Sequence, residues 1–170
     1  MTEHACRWPP GQIDEMVDRY QRPLLAYAAR MLHGDWQEAQ DAVQETFLRL
    51  CREDPAKVES RVAAWLFSVC RSRVIDMQRT SRAAPLDASQ TPIADPSPDV
   101  SAVACEAEDR IHLSELMDRL SPRQQEVLRL RMTAGLSYRE IAEVTGMSVN
   151  NVGFHLHQAV RSLRTSLSAN

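Results

Sequence analysis

Asn150, Asn151, Phe154, His157, Gln158 and Arg161 fall on one side of a predicted helix when its residues are projected at about 100° each. Their chemistry suits a nucleic-acid duplex: amides can pair with purine edges, an aromatic can pack on a thymine methyl, and Arg and His can hold phosphates. Ser148 before them and His155 among them complete the candidate contacts. The opposite side carries Val149, Val152, Leu156, Ala159, Val160 and Leu163, a narrow apolar stripe expected to face a core. A large aromatic opposite such a stripe is uncommon on an idle solvated face, so the pattern favours groove reading over a plain helical hairpin. His155 and His157 lie two apart, on different faces, which argues against a shared metal.

The residues upstream are those needed to hold this face in place. Ser137 precedes Tyr138-Arg139-Glu140, so its hydroxyl can cap a helix while Glu140 reaches back, as in a capping box. Gly146 can take the left-handed backbone that ends that helix, and Ser148 can cap the next. Small Ala142 allows close approach of the two helices, with Ile141, Met147 and Val152 in the angle between them. Earlier still, Ser121, Pro122 and Gln124 form a cap, first-turn proline and box closure for another helix.

The N-terminal part predicts three helices, over 12–32, 35–52 and 60–82, and no alternating strand pattern occurs anywhere, so the fold class is all-α. In the second helix Trp36, Ala39, Val43, Phe47 and Leu50 share an apolar stripe, while Glu38, Asp41, Glu45 and Leu48 gather on the far side. Bundle metal sites need Glu and His pointing inward from several helices. These carboxylates point outward, and a docking surface for a basic partner helix fits them better. The third helix has an apolar side of Trp65, Leu66, Val69, Cys70 and Met77. Its other side gathers Arg61, Ser68, Ser72, Arg79 and Arg82, with Arg71 beside them. Five arginines against one acid, Asp76, over 61–82 make this a second candidate nucleic-acid surface.

Charge is distributed unevenly along the 170 residues, whose net charge is only -3. Residues 1–82 hold 12 basic and 12 acidic side chains, 83–109 hold none and 6, and 110–170 hold 8 and 5. The middle stretch contains Pro85, Pro92, Pro96 and Pro98 without a helical apolar period, and predicts an extended acidic linker. Its acidity serves solubility, or occupies a positive groove that nucleic acid would otherwise enter. Domains at 1–82 and 110–170 therefore flank a linker at 83–109. No apolar run approaches the roughly 18 residues needed to span a bilayer, and no signal-peptide pattern opens the chain, so a cytoplasmic protein without membrane insertion is expected. Cys6, Cys51, Cys70 and Cys105 are too scattered for zinc or a disulfide framework. Cys51 and Cys70 are expected as small core residues, and linker Cys105 as the thiol best exposed for redox chemistry.

Taken together, these segments resemble an extracytoplasmic-function sigma factor of the sigma-70 family, over roughly 13–82 and 113–167. Asp41-Ala42-Val43-Gln44-Glu45-Thr46-Phe47 resembles the family's segment that docks on core RNA polymerase. Trp65-Leu66-Phe67-Ser68-Val69-Cys70-Arg71-Ser72-Arg73-Val74-Ile75-Asp76 resembles its promoter-melting helix, and Leu120-Ser121-Pro122-Arg123-Gln124-Gln125-Glu126-Val127-Leu128 resembles the opening of its C-terminal domain. The resemblance implies core docking through Glu38, Asp41, Gln44, Glu45 and Leu48. It implies capture of an unstacked minus-ten base by Glu53-Asp54-Pro55-Ala56-Lys57-Val58-Glu59 and the adjoining helix, with Lys57 among the contacts. The C-terminal helix would read the minus-thirty-five element as duplex. Core polymerase and promoter DNA are the implied partners, an anti-sigma protein is a further one, and no cofactor is implied. Ser72 stands where the family commonly has Asn, and Gly153 and His155 where Lys and Arg are common.

The competing reading is a stand-alone helix-turn-helix regulator of the response-regulator or quorum-sensing type, whose terminal domain opens similarly. Its sensing domain would need alternating strands and helices, which 1–82 does not offer. An enzyme is not expected, since no nucleophile elbow, phosphate loop, metal pair or triad spacing occurs. The chain ends soon after the last helix, so no additional C-terminal regulatory domain is expected.

Overall fold

The computed structural model describes residues 6–83, without the side chains of the last two, and 115–168. Every regular element among them is a helix. They fall into two units, Met1–Asp95 and Pro96–Asn170. The acidic linker, with Cys105, lies outside the described residues save for Ala83.

In the first unit α1 (Gln12–Met31), α2 (Trp36–Arg52) and α4 (Val62–Ala83) pack against one another in all three pairings. Asp35 caps α2, its carboxylate accepting from the Glu38 N–H at 2.9 Å. The carboxamide of Gln78 on α4 donates to the Met31 carbonyl and so satisfies one of the acceptors left over at the end of α1. The segment left between the predicted helices over 53–59 is itself ordered as helical turns. Asp54 caps a single turn, α3 (Pro55–Val58), that has proline at its first position, and a 3-10 turn (Glu59–Arg61) leads into α4.

The core of this unit differs from the sequence expectation in the third long helix. Leu66 and Cys70 are buried as expected, but Ala64, Phe67 and Val74 accompany them, while Trp65, Val69 and Met77 are half-buried. Two partners, α1 and α2, press on α4 and widen its inward face beyond one projected stripe. Phe67 meets Tyr27 of α1 edge-on, ring centroids 5.4 Å apart. On α2, Ala39, Val43 and Leu50 are buried together with Ala42 and Thr46, whereas Trp36 and Phe47 sit at the margin. The Thr46 hydroxyl donates to the Ala42 carbonyl at 2.8 Å and also bonds the Cys70 thiol. Burial pushes that thiol up to about 12, so Cys70 is a neutral core residue at physiological pH.

A short strap precedes α1. The Arg7 N–H donates to the Cys51 carbonyl at 2.8 Å, and the indole N–H of buried Trp8 donates to the Leu50 carbonyl at 2.6 Å. These bonds reach carbonyls at the C-terminal end of α2, where the Leu50 carbonyl also accepts from the Glu53 N–H at 3.0 Å. Cys51 itself is half-buried beside Cys6, not a core residue.

The second unit contains α5 (Pro122–Met132), α6 (Tyr138–Thr145) and α7 (Val149–Ser168), each touching the other two. Residues 115–118 add a helical turn whose Leu116 is buried, as is Leu120 just after it. Both expected capping boxes form, at Ser121 with Gln124 and at Ser137 with Glu140. Gly146 takes the left-handed backbone at φ 72° that ends α6. Ser148 then accepts from the Asn151 N–H at 3.2 Å, leaving only three residues between the two helices. Replacing Ser137 with alanine is expected to cost about 1 kcal/mol, read as a lower melting midpoint of the second unit by circular dichroism. An unchanged midpoint would show that the cap is idle.

Candidate nucleic-acid and docking surfaces

Ile141, Val144, Val152, Leu156 and Ala159 fill the angle between α6 and α7 and fix how α7 is presented. The buried stripe of α7 is narrower than projected: Val149 and Val160 are 43% and 38% exposed, because α5 and α6 cover only the central line. On the open side Asn150, Phe154, His157 and Arg161 follow one another at helical spacing and are exposed, as is Asn151, with half-buried Gln158 alongside. From Asn150 to Arg161 this row covers about 16 Å of helix axis, a length suited to one stretch of major groove. Phe154 is 59% exposed although it is aromatic. No acid lies on α7, and its N-terminal end adds the positive pole of the helix dipole.

His155 sits apart from that row. It is half-buried, its Nδ1 has no hydrogen-bond partner among the described residues, and its ring lies edge-on to Phe154 at 5.6 Å. A methyl group at Gly153 would meet the Tyr138 ring at 3.6 Å, an ordinary contact, so the fold itself makes no demand for glycine there. Tyr138 in turn lies under Arg131, whose guanidinium is 5.7 Å from the ring centre. Arg131 also donates to the Leu136 carbonyl at 2.9 Å and so braces the loop before α6.

On the first unit, Asp41, Gln44 and Leu48 are exposed on the outer face of α2, and Glu38 is half-buried there. Glu45 is committed inside the unit: its carboxylate pairs with Arg49 Nη2 at 2.8 Å and with Arg73 Nε at 2.6 Å, the latter off the line of a hydrogen bond. Sequence projection placed Glu45 on an open face and counted Arg73 only within a basic run. An ion pair between two helices leaves no spacing signal in either one. The other sequence candidates on α4 and before it are Arg61, Ser72 and Arg79, which are exposed, and Ser68 and Arg71, which are half-buried. The side chain of Arg82 lies outside the described residues. Lys57 is exposed on α3. Trp65, assigned to the core by its pattern, is half-buried on the same helical face as Ser68 and Ser72, an aromatic surface open to a stacking partner.

Among the described residues no group of three or more His, Cys, Asp or Glu converges as a metal site would, and no helix is long and apolar enough to cross a membrane. No strand occurs over 6–83, so a sensing domain of alternating strands and helices does not precede the helix-turn-helix there.

Residues 16–84 match the family model for sigma-70 region 2, and residues 111–163 match that for sigma-70 region 4. The ECF RNA polymerase sigma factor SigL of Mycobacterium tuberculosis is 33% identical over 158 residues, which cover 89% of this chain and 86% of SigL. Among solved structures, the sigma factor RpoE of Bartonella quintana, in complex with the anti-sigma factor NepR, aligns with a TM-score of 0.65 at 21% identity over 92% of this chain and 97% of that one. CnrH, solved with the cytosolic domain of CnrY, aligns at 0.59 and 24% identity over 93% and 88%. At these identities the two structures speak for the shared fold. The two region matches in order and the similarity to SigL along most of both chains agree with the exposed faces of α2, α4 and α7, and the chain belongs to the extracytoplasmic-function sigma factors of the sigma-70 family, the subunits that direct RNA polymerase to promoters.

Proposed function

We propose that the two units divide the work of promoter recognition. Residues 1–82 form the domain that docks on core polymerase and holds the minus-ten element, 110–170 form the domain that reads the minus-thirty-five element, and 83–109 join them. The exposed row on α7 with Phe154 at its centre supports the duplex-reading role most directly. In the first unit Asp41, Gln44 and Leu48 meet the polymerase, with Glu38 at the margin and Glu45 supporting the helix through Arg73. Lys57, Arg61, Arg71, Arg79 and Arg82 hold the single-stranded backbone, and Ser68 and Ser72 line the helix beside Trp65, on which an unpaired base can stack. The chain performs no covalent chemistry; the polymerase makes the RNA. It works in the cytoplasm, where polymerase and promoter are found. An anti-sigma protein is a further partner, since RpoE and CnrH were each solved with a bound protein, in the first case an anti-sigma factor.

Mixing the purified chain with sigma-free core polymerase and following comigration on gel filtration tests the docking half. Specific DNA binding by the chain alone, without comigration, would instead favour the stand-alone regulator. For the reading half, Phe154→Ala is expected to relax preference at one base pair of the minus-thirty-five element, by about 1–3 kcal/mol of discrimination. A panel of single-base promoter variants in run-off transcription checks it, and an unaltered preference profile would remove Phe154 from the reading set.

A further inference from the structure

Cys6 and Cys51 are 45 positions apart in sequence, yet the fold sets the Cys6 thiol beside that of Cys51. The contact is held by the residues that follow Cys6. The Arg7 N–H, one residue from Cys6, is bonded to the carbonyl of Cys51 itself, and Trp8 anchors the same strap on Leu50. Cys6 is exposed, whereas Cys51 is half-buried under it and Cys70 is sealed in the core. The geometry points to Cys6 and Cys51 as a reversible dithiol site that a peroxide converts to a disulfide, fastening the N-terminal strap to the end of α2.

The chemistry follows from the exposures. The exposed Cys6 sulfur attacks one peroxide oxygen, the O–O bond breaks, and Cys6 leaves as a sulfenic acid with one molecule of water released. The Cys51 sulfur then attacks the Cys6 sulfur, the S–O bond breaks, and the Cys51 proton departs with the hydroxyl as a second water. Peroxide is reduced by two electrons and the two thiols are oxidised by two. Burial, and then the adjoining Cys6 thiol, push Cys51 up to about 11, so it gives up its proton only as it attacks, and its proximity to the Cys6 sulfur, not its thiolate content, carries the second step. The same shift makes Cys51 a poor first target for the oxidant. A link here closes the strap immediately before the capped turn of α3, and a dithiol reductant opens it again.

The full-length chain treated with one equivalent of hydrogen peroxide, digested without reduction and mapped by mass spectrometry, tests this. The expected product joins the peptides of Cys6 and Cys51, lighter by two hydrogens than their sum and separated by dithiothreitol. Its yield should be unchanged in Cys105→Ser and lost in Cys6→Ser, an exposed substitution that leaves the fold intact. The tryptophan-fluorescence unfolding midpoint should rise on oxidation of the native chain and of Cys105→Ser, but not of Cys51→Ser. Cys6 carried on to sulfinic acid with Cys51 still reduced, or either thiol paired mainly with Cys105, would overturn the assignment.

Discussion

A chain carrying Asp41→Arg together with Leu48→Arg is expected to fold normally and yet fail to comigrate with core polymerase. Leu48 is 49% exposed at the centre of the outer face of α2, and an apolar side chain of that size contributes about 1.5–3 kcal/mol when a partner covers it. That term alone corresponds to a roughly tenfold to hundredfold weaker complex, and reversal of the neighbouring carboxylate adds repulsion against a basic partner. Because both positions are exposed, folding stability should stay within about 0.5 kcal/mol of the native chain. Glu45→Arg, the reversal that the sequence pattern suggests first, is a poor substitute. It would set a third cation against Arg49 and Arg73, and a lost complex could then mean a disturbed α2–α4 contact. Undiminished comigration of the double variant would move the docking surface away from this face of α2.

The largest effect on stability is expected from Phe67→Ala. Phe67 is 1% exposed, stands between the three long helices and meets Tyr27 edge-on, so its removal leaves a cavity that the surrounding helices cannot easily close. Such truncations cost about 3–5 kcal/mol, a large part of the roughly 5–15 kcal/mol that holds a domain folded. The midpoint should fall on the order of 15–30 °C for a unit of this size. Trp8, Trp36 and Trp65 are the chain's three tryptophans and all lie in the first unit, so their fluorescence isolates its unfolding from that of the second. A drop of only a few degrees would mean that Phe67 is not the keystone its burial implies.

What the sequence made legible follows from how local each signal is. Ser121, Ser137, Gly146 and Ser148 act on atoms within three or four residues, and every one adopts its expected role. The exposed row of α7 was legible for the same reason, since helical spacing alone aligns Asn150 with Phe154, His157 and Arg161. Tertiary contact was not. Phe67 and Val74 are buried because two helices converge on α4, and Glu45 is paired because Arg73 arrives from another element. The helices predicted over 35–52 and 60–82 left 53–59 as a connection, although Asp54 followed by Pro55 is also the opening of a short helix. Nothing in the spacing of Cys6 and Cys51 announced their contact, which depends on Trp8 finding the end of α2.

The strap also bears on the order in which the molecule is made. Residues 6–8 leave the ribosome well before α2, but the carbonyls they bind belong to Leu50 and Cys51. Until α2 has been synthesised, the Trp8 indole and the Cys6 thiol have nowhere to dock. The two capping boxes of the second unit close on neighbours made moments earlier, whereas the strap must wait for some forty further residues and is completed across a contact of high sequence separation, the kind that forms slowly. A segment made before α1 and α2 is therefore among the last of its unit to reach its place.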